Sequence, residues 1–447
     1  MPTTITPQIV NETVTVSQAP QAPQLQKSGA LVSVGGTTLA TNAWQFCGSL
    51  SAVQALLSDT GNASELTNMT TTYFAQGSGN GIYVLELGAN TDVVEQIGAL
   101  DTWIAANPGV FYAYLTPADW DTDATDVASV TITDGGTGYT AAPTVTFSAA
   151  TGGGTTATGA ATINTSGVVT GVTLTNPGYY PNQAAPTVTF SAPTSGTTAT
   201  GTAVMGNAFN SLASTYAGNT AKTYFFGTTS ATTIAQYSAS KSLFLVAPAP
   251  TAPSTEFTAA AFLYQALINS PSASNQLAPM QYRFLFGVTP WEQNTTNNPL
   301  INTILSAYGN IVLTGAQGGI SDSCIFKGTV MSGIQFSNWY GLDNFQINAN
   351  VNVAAAVLNG SNSNPPLLYN QAGINALDGV AQQTADNAVR FGTVLNATVT
   401  ATPFAQYTAA NPSDYQNGIY NGLYASATAQ NGFLTITFNI NVTEFAS

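Results

Sequence analysis

Apolar residues recur along this chain with two spacings, and the spacing changes from segment to segment. At 49–58, 63–77 and 91–109 they return every three to four positions, as on one face of a helix; Leu50, Val53, Leu56 and Leu57 make the first such stripe. At 81–88 (GIYVLELG) and 110–117 (VFYAYLTP) they run nearly unbroken over a short length, the pattern of buried strands. Thr91 or Asp92 offers an N-cap to the helix at 91–109, and Asn107, Pro108 and Gly109 stop it. Helix and strand alternating in this way predict an α/β unit with a partly parallel sheet. The rhythm resumes with a helix just after 206, strands at 222–229, 241–248 and 324–333, and helices at 256–270, 344–360 and 370–392. A late strand follows at 394–406.

Between these stretches the pattern turns to β-branched residues and glycine. "APTVTFSA" stands at 142–149 and again at 185–192, and "TATG" at 156–159 and 198–201, a period of 42 to 43 residues. Two such units predict an all-β inserted domain over 128–206 whose ends lie close together. Its tyrosines, Tyr139, Tyr179 and Tyr180, are expected at the surface and, with the Thr/Gly-rich repeats, motivate an alternative function as a carbohydrate-binding or adhesin-like surface protein.

Both ends of the chain read as arms. Residues 1–27 are punctuated by Pro2, Pro7, Pro20 and Pro23, with Val10, Val14 and Val16 on one side of a short candidate strand. At 433–447 (FLTITFNINVTEFAS), Leu434, Ile436, Phe438, Ile440 and Val442 alternate with polar residues, the pattern of a half-buried strand. Two partners are open to it: the strand at 394–406 in the same chain, or a sheet edge in a neighbouring copy. The expected fold is therefore an α/β (α+β) main body with mixed sheets (28–127 plus 207–432), an all-β inserted domain, and extended N- and C-terminal arms.

Composition narrows the function. Of 447 residues only 6% are charged, against about a quarter in ordinary soluble domains, and the net charge is −14. The six basic residues form no cluster, which argues against direct nucleic-acid binding. No apolar run approaches the ~18 residues of a membrane span, and the first residues carry neither the basic nor the apolar region of a signal peptide, so synthesis in a cytoplasm is expected. A weakly charged surface favours self-association.

Candidate chemistry is sparse. There is no histidine, which removes Ser-His-Asp and Cys-His systems and most catalytic zinc sites. Cys47 and Cys324 are expected as two buried free thiols. The segment "DWDTDATD" (119–126) lacks the glycine and glutamate of a calcium loop and reads as a solvated linker. "WYGLDNFQ" (339–346) reads as a loop with Asp343 capping the helix that follows. No catalytic residue, metal site or cofactor is expected.

Several stretches together resemble a known family. "SVGGTTLATNAWQFCGSLSAVQALLSD", then "TTTYFAQGSGNGIYVLELG" (70–88), then the long run at 338–392 and the closing strand, resemble the sheath protein of contractile bacteriophage tails, mostly over 31–117 and 220–445. The resemblance implies a structural protein of the virion tail, assembled in the host cytoplasm. It implies hexameric rings stacked helically around a tail tube, and arms that add strands to neighbouring subunits. Contraction, triggered at a baseplate, would drive the tube through a bacterial envelope. Its implied partners are further copies of itself, the tail tube protein, and baseplate and tail terminator proteins. The duplicated insertion departs from the family pattern.

Overall fold

The computed structural model describes residues 25–432 apart from 123–124, 151–153, 181–184, 219–221 and 315–320. The first part of the chain gives β1 (Gly29–Ser33), β2 (Trp44–Cys47), α1 (Leu50–Gln54), α2 (Ala63–Ala75), β3 (Ile82–Glu86), α3 (Val93–Ala106), β4 (Ala113–Leu115) and α4 (Asp119–Thr122). Then come β5 (Thr125–Asp134), β6 (Val145–Phe147), β7 (Thr158–Ile163), β8 (Val169–Asn176), β9 (Thr187–Phe190) and β10 (Thr200–Asn207). The rest comprises α5 (Ala208–Thr215), β11 (Tyr224–Thr228), β12 (Leu243–Val246), α6 (Thr258–Leu267), α7 (Asn297–Ser306), β13 (Ile311–Thr314) and β14 (Ser323–Phe326). It closes with α8 (Phe336–Ser361), α9 (Gln371–Arg390), β15 (Val394–Ala401), α10 (Phe404–Ala410), α11 (Pro412–Gln416) and β16 (Leu423–Ala429).

The body is a mixed α/β sheet in the order β12–β11–β4–β1–β3–β2, parallel except for β2. Successive side chains leave opposite faces, and each face has its own core. Leu31, Val84, Leu115, Phe226 and Phe244 meet α2, α6 and the start of α8 on one side. Ala30, Val32, Leu85, Tyr114, Phe225 and Leu245 meet α3, α5 and α7 on the other. Burial on both faces is why these strands read as continuous apolar runs. Asp92 caps α3, its Oδ1 accepting the N–H groups of Val94 (2.9 Å) and Glu95 (3.3 Å).

The duplicated segment closes on itself. The sheet β5–β10–β9–β6 is joined to the pair β7–β8 by a bridge between Thr144 and Ala160. Val127 N–H donates to the Pro177 carbonyl (3.0 Å) and Val169 N–H to that of Gly135 (2.8 Å), which brings β8 back to β5. These two bonds are the same bond in the two repeats, 42 residues apart. Others pair likewise. The Ala199 N–H donates to the Tyr139 hydroxyl and the Ala157 N–H to that of Tyr180, both at 2.9 Å. Gly136 N–H meets Asp134 Oδ1 at 2.9 Å and Gly178 N–H meets Asn176 Oδ1 at 2.8 Å. β6 crosses β9 on Thr146↔Thr189, the midpoint of the repeat relation. Each repeat thus completes the other around an internal two-fold, over a core that includes Phe147, Val188 and Phe190.

Tyr139, Tyr179 and Tyr180, expected at the surface, are buried. The hydroxyls of Tyr139 and Tyr180 each bind the other repeat and the Tyr179 backbone pairs with that of Thr155, so the tyrosines no longer motivate the carbohydrate-binding alternative.

Candidate assembly interface

The C-terminal part is built on α8, which starts earlier than its pattern suggested. Residues 339–346 are helical, and Asp343 is a buried residue inside α8 rather than a cap. Tertiary packing overrides the weak helix propensity of Gly341 and Asp343: Phe336 sits among the rings of Tyr224 (5.0 Å), Phe226 (5.6 Å) and Phe244 (5.9 Å), deep under the body sheet. The Asp343 carboxylate accepts hydrogen bonds from the hydroxyls of Tyr112 (3.0 Å) and Tyr224 (2.8 Å). Burial pushes this carboxyl up; the Tyr224 bond, Lys222, Lys241 and the Tyr112 bond pull it back. Lys241 lies 5.1 Å from the centre of the Trp339 ring, and burial lowers its ammonium pKa. Leu25–Lys27, the last residues of the expected N-terminal arm, form a turn against the same helix, with Gln26 Nε2 donating to the Tyr340 carbonyl at 2.8 Å.

Beyond this latch α8 runs out from the body and α9 returns beside it, capped by Asn370, whose Oδ1 accepts from Gly373 N–H at 2.9 Å. Gly341 lets the chain after α9 come close: a Cβ there would stand 1.9 Å from the Thr393 carbonyl oxygen. β15 and β16 then pair antiparallel. Ala397, Val399 and Ala427 turn toward Phe345, Ala385 and Ala388. Thr398 and Ser426 face outward, with their hydroxyls 2.8 Å apart. One side of the strand expected at 394–406 is therefore taken by β16, a segment whose pattern had not singled it out. Among the described residues, neither outer edge of this two-stranded sheet pairs with a strand. Gln382 Oε1 accepts one outer N–H, that of Val399, at 3.3 Å.

Leu434, Ile436, Phe438, Ile440 and Val442, and Val10, Val14 and Val16, lie outside the described residues.

The acidic segment is not a solvated linker. Asp121 is buried and accepts from the hydroxyls of Thr233 (2.6 Å) and Tyr237 (2.9 Å). Asp126 is buried too, and its Oδ1 has no hydrogen-bond partner among the described residues. Burial pushes both carboxyls up to about 6, against the pull of the hydroxyl donors at Asp121. Glu65, which accepts the Ala118 N–H at 2.9 Å, is pushed to about 7, chiefly by burial. Among the described residues no group of three or more His, Cys, Asp or Glu side chains is placed to hold a metal ion. Cys47 and Cys324 are buried free thiols, as the sequence led one to expect.

The arrangement defines a class before any comparison: an α/β body with a closed β insertion and an edge-exposed C-terminal sheet on a helical hairpin. No protein-family model matches the chain, and no curated protein does. Solved structures do. The chain is similar to one in the anti-feeding prophage (AFP) baseplate in its contracted state, with 12% identity over 98% of this chain and 99% of that one and a TM-score of 0.50. It also aligns with the AFP helical sheath in its contracted state (9% identity, 97% and 99% covered, TM-score 0.47). A third alignment is to a sheath tail protein from Listeria innocua (11%, 90% and 94%, TM-score 0.39). At 12% identity, the first likeness establishes a shared fold.

Proposed function

We propose that this chain is a structural subunit of a contractile tail sheath that polymerises around a tail tube by exchanging strands between copies. The observation that carries the reading is the β15–β16 sheet. Its strands, VLNATVTA and LYASATA, contain no charged residue and no proline. Soluble proteins ordinarily protect an open edge with such residues, because an unprotected edge recruits another chain. Here the unprotected edge belongs to a chain with two arms of strand character. The first of these presents Val10, Val14 and Val16; the second presents Leu434, Ile436, Phe438, Ile440 and Val442. A fold shared along nearly its whole length with a chain of a contracted baseplate supports the same reading.

In this reading each subunit receives strands from its neighbours and gives its own, so subunits stay tethered while rigid bodies move between two packings. The body at 28–127 and 207–432 is the rigid unit, and the domain at 128–206 is an outer addition. The tail tube, the baseplate and the tail terminator are the partners, and the tail of the virion, assembled in host cytoplasm, is the location. No step requires catalysis, a cofactor or a metal.

Negative-stain electron microscopy of the purified protein tests it. Hollow striated tubes are expected from the full chain, and folded particles without tubes from a chain lacking 433–447. Tubes from the shortened chain would overturn strand exchange.

A further inference from the structure

Two of the six basic side chains of this acidic protein meet at one end of the body sheet. β11 and β12 run parallel with Phe225 opposite Leu243, so Lys222 and Lys241, just ahead of these strands, come to the same end of the sheet. They act on each other through their charges, and Asp343 acts on both. Lys222 is 8% exposed and Lys241 6%. Lysine is almost never buried this far unless it is paired. Lys327 shows the ordinary solution, its Nζ donating to the Leu305 carbonyl at 3.0 Å. Among the described residues Lys222 and Lys241 have neither a hydrogen-bond acceptor nor an ion pair. Asp343 reaches them by charge alone, while its Oδ2 accepts from the hydroxyls of Tyr112 and Tyr224.

Further polar groups without partners belong to the same place. The Lys241 ammonium lies 5.1 Å from the centre of the Trp339 ring, and Trp339 Nε1 is buried with no acceptor among the described residues. Ser332 N–H donates to the carbonyl of Ser240, next to Lys241, at 3.0 Å, and Ser332 Oγ is likewise buried and unpartnered. Donors and positive charge are therefore in excess here, and an ammonium has no acceptor of its own to offer in return.

Buried polar groups without a protein partner are accounted for by ordered water or a bound ion. Water alone leaves two like charges in a poorly solvated place, whereas an anion neutralises them and accepts from both. Lysine, a compact point charge on a flexible stem, suits the oxygens of a phosphate-type group. The depth of the site sets the size of the ligand: a nucleic-acid backbone or an acidic peptide does not reach ammoniums more than nine-tenths buried.

We propose that Lys222, Lys241 and Trp339 form a binding site for one small oxyanion of the phosphate or sulfate type, which ties the start of α8 to the ends of β11 and β12. The proposal stands apart from the sheath reading and from strand exchange.

The test uses the full chain and inorganic phosphate. Calorimetric titration, with sodium chloride holding the ionic strength constant, should show saturable binding at a single site in the millimolar range or below. Sulfate should compete for it, and adenosine monophosphate, whose nucleoside the site does not admit, should bind more weakly than phosphate. Lys222→Met and Lys241→Met should each weaken phosphate binding about tenfold or more, the loss of a hydrogen bond to a charged group, while Arg390→Gln, at the exposed end of α9, should leave it unchanged. A second readout needs no lysine variant: phosphate should alter the tryptophan fluorescence of the parent, and Trp339→Phe should remove that change. The absence of saturable binding to the parent would overturn the proposal. So would phosphate affinity that survives both methionine substitutions, adenosine monophosphate binding as tightly as phosphate, or a fluorescence change that persists without Trp339.

Discussion

Replacing Asp343 tests how α8 is fastened to the body. The two tyrosine hydroxyls that donate to this carboxylate are buried beneath the sheet, 231 and 119 positions away in sequence. In Asp343→Ala both donors are stranded, and a buried donor without a partner costs about 1–3 kcal/mol. Lys222 and Lys241 also lose the nearby negative charge. Breaking a buried charged network by removing one member typically costs about 3–5 kcal/mol, and the two estimates meet at roughly 4 kcal/mol. Asp343→Asn keeps the shape and one acceptor oxygen, so about 1–2 kcal/mol is expected. The sharper comparison adds Tyr112→Phe and Tyr224→Phe to Asp343→Ala. Each is destabilising alone, but together they remove the stranded donors and should recover at least ~1–2 kcal/mol. Urea unfolding followed by circular dichroism, with an unchanged m value, gives the comparison. An Asp343→Ala chain within ~0.5 kcal/mol of the parent, or phenylalanines that add their costs to the alanine, would refute this account.

Three further outcomes follow from other parts of the molecule. Tyr139 and Tyr180 accept equivalent alanine N–H bonds in the two repeats, and Tyr139 also donates to the Ser191 carbonyl (3.1 Å), so Tyr180→Phe should cost about 1 kcal/mol and Tyr139→Phe about 1–2 kcal/mol in thermal unfolding; no loss at either position would contradict their role in joining the repeats. The folded pKa of Glu65, about 7, lies above its unfolded value near 4.3. Its contribution to stability is thus full below about pH 4 and lost as pH rises through about 7, so Glu65→Gln should match the parent at pH 4 and exceed it by ~1–3 kcal/mol at pH 8 in urea titrations. Gly341→Ala should destabilise by ~1–3 kcal/mol because its Cβ meets the Thr393 carbonyl, whereas Gly98→Ala and Gly379→Ala, helical sites with open space, should each gain up to ~1 kcal/mol; the three melting temperatures decide it.

The body was legible where its strands are buried on both faces, since a segment such as IYVLE or LFLV then needs no partner to be recognised; β2, exposed at three of its four residues, gave no such run. The repeats were legible as repeats, but their interlock was not. That each tyrosine binds the other repeat's alanine depends on a closure that no local window contains. Asp343 was misread for a related reason. Gly and Asp in mid-segment argue for a loop, and the two tyrosine donors that make a buried helical Asp tolerable lie far away in sequence. Asp121 and Asp126 show the same limit: four acids within eight residues suggest solvent, until Thr233 and Tyr237 fold over one of them. β16 escaped notice because LYASATA carries too few large apolar residues to stand out, its inner face being mostly alanine against an equally small core.

The placement of open edges yields one more prediction. Among the described residues the ring of the insertion closes on itself and leaves no long edge. At the β12 side of the body sheet, Asn310 continues the pairing through Val246. β2, at the other side, is four residues long. Among the described residues β15, at eight residues, is the longest edge strand that the body and the C-terminal sheet leave open, long enough to take a terminal strand. The N–H of Val399 points outward, since Gln382 accepts it, and alternation along the strand gives the Ala397 N–H the same direction. Ala397→Pro therefore removes an outward donor and spares every bond between β15 and β16. The monomer should keep its circular dichroism spectrum and lose no more than about 1–2 kcal/mol, while tube formation fails. Ala427→Pro places a proline on β16 and serves as the comparison for the opposite strand. Tubes of ordinary length and diameter from a folded Ala397→Pro chain would mean that the outer edge of β15 receives nothing, and the strand-exchange reading would have to find its edge elsewhere.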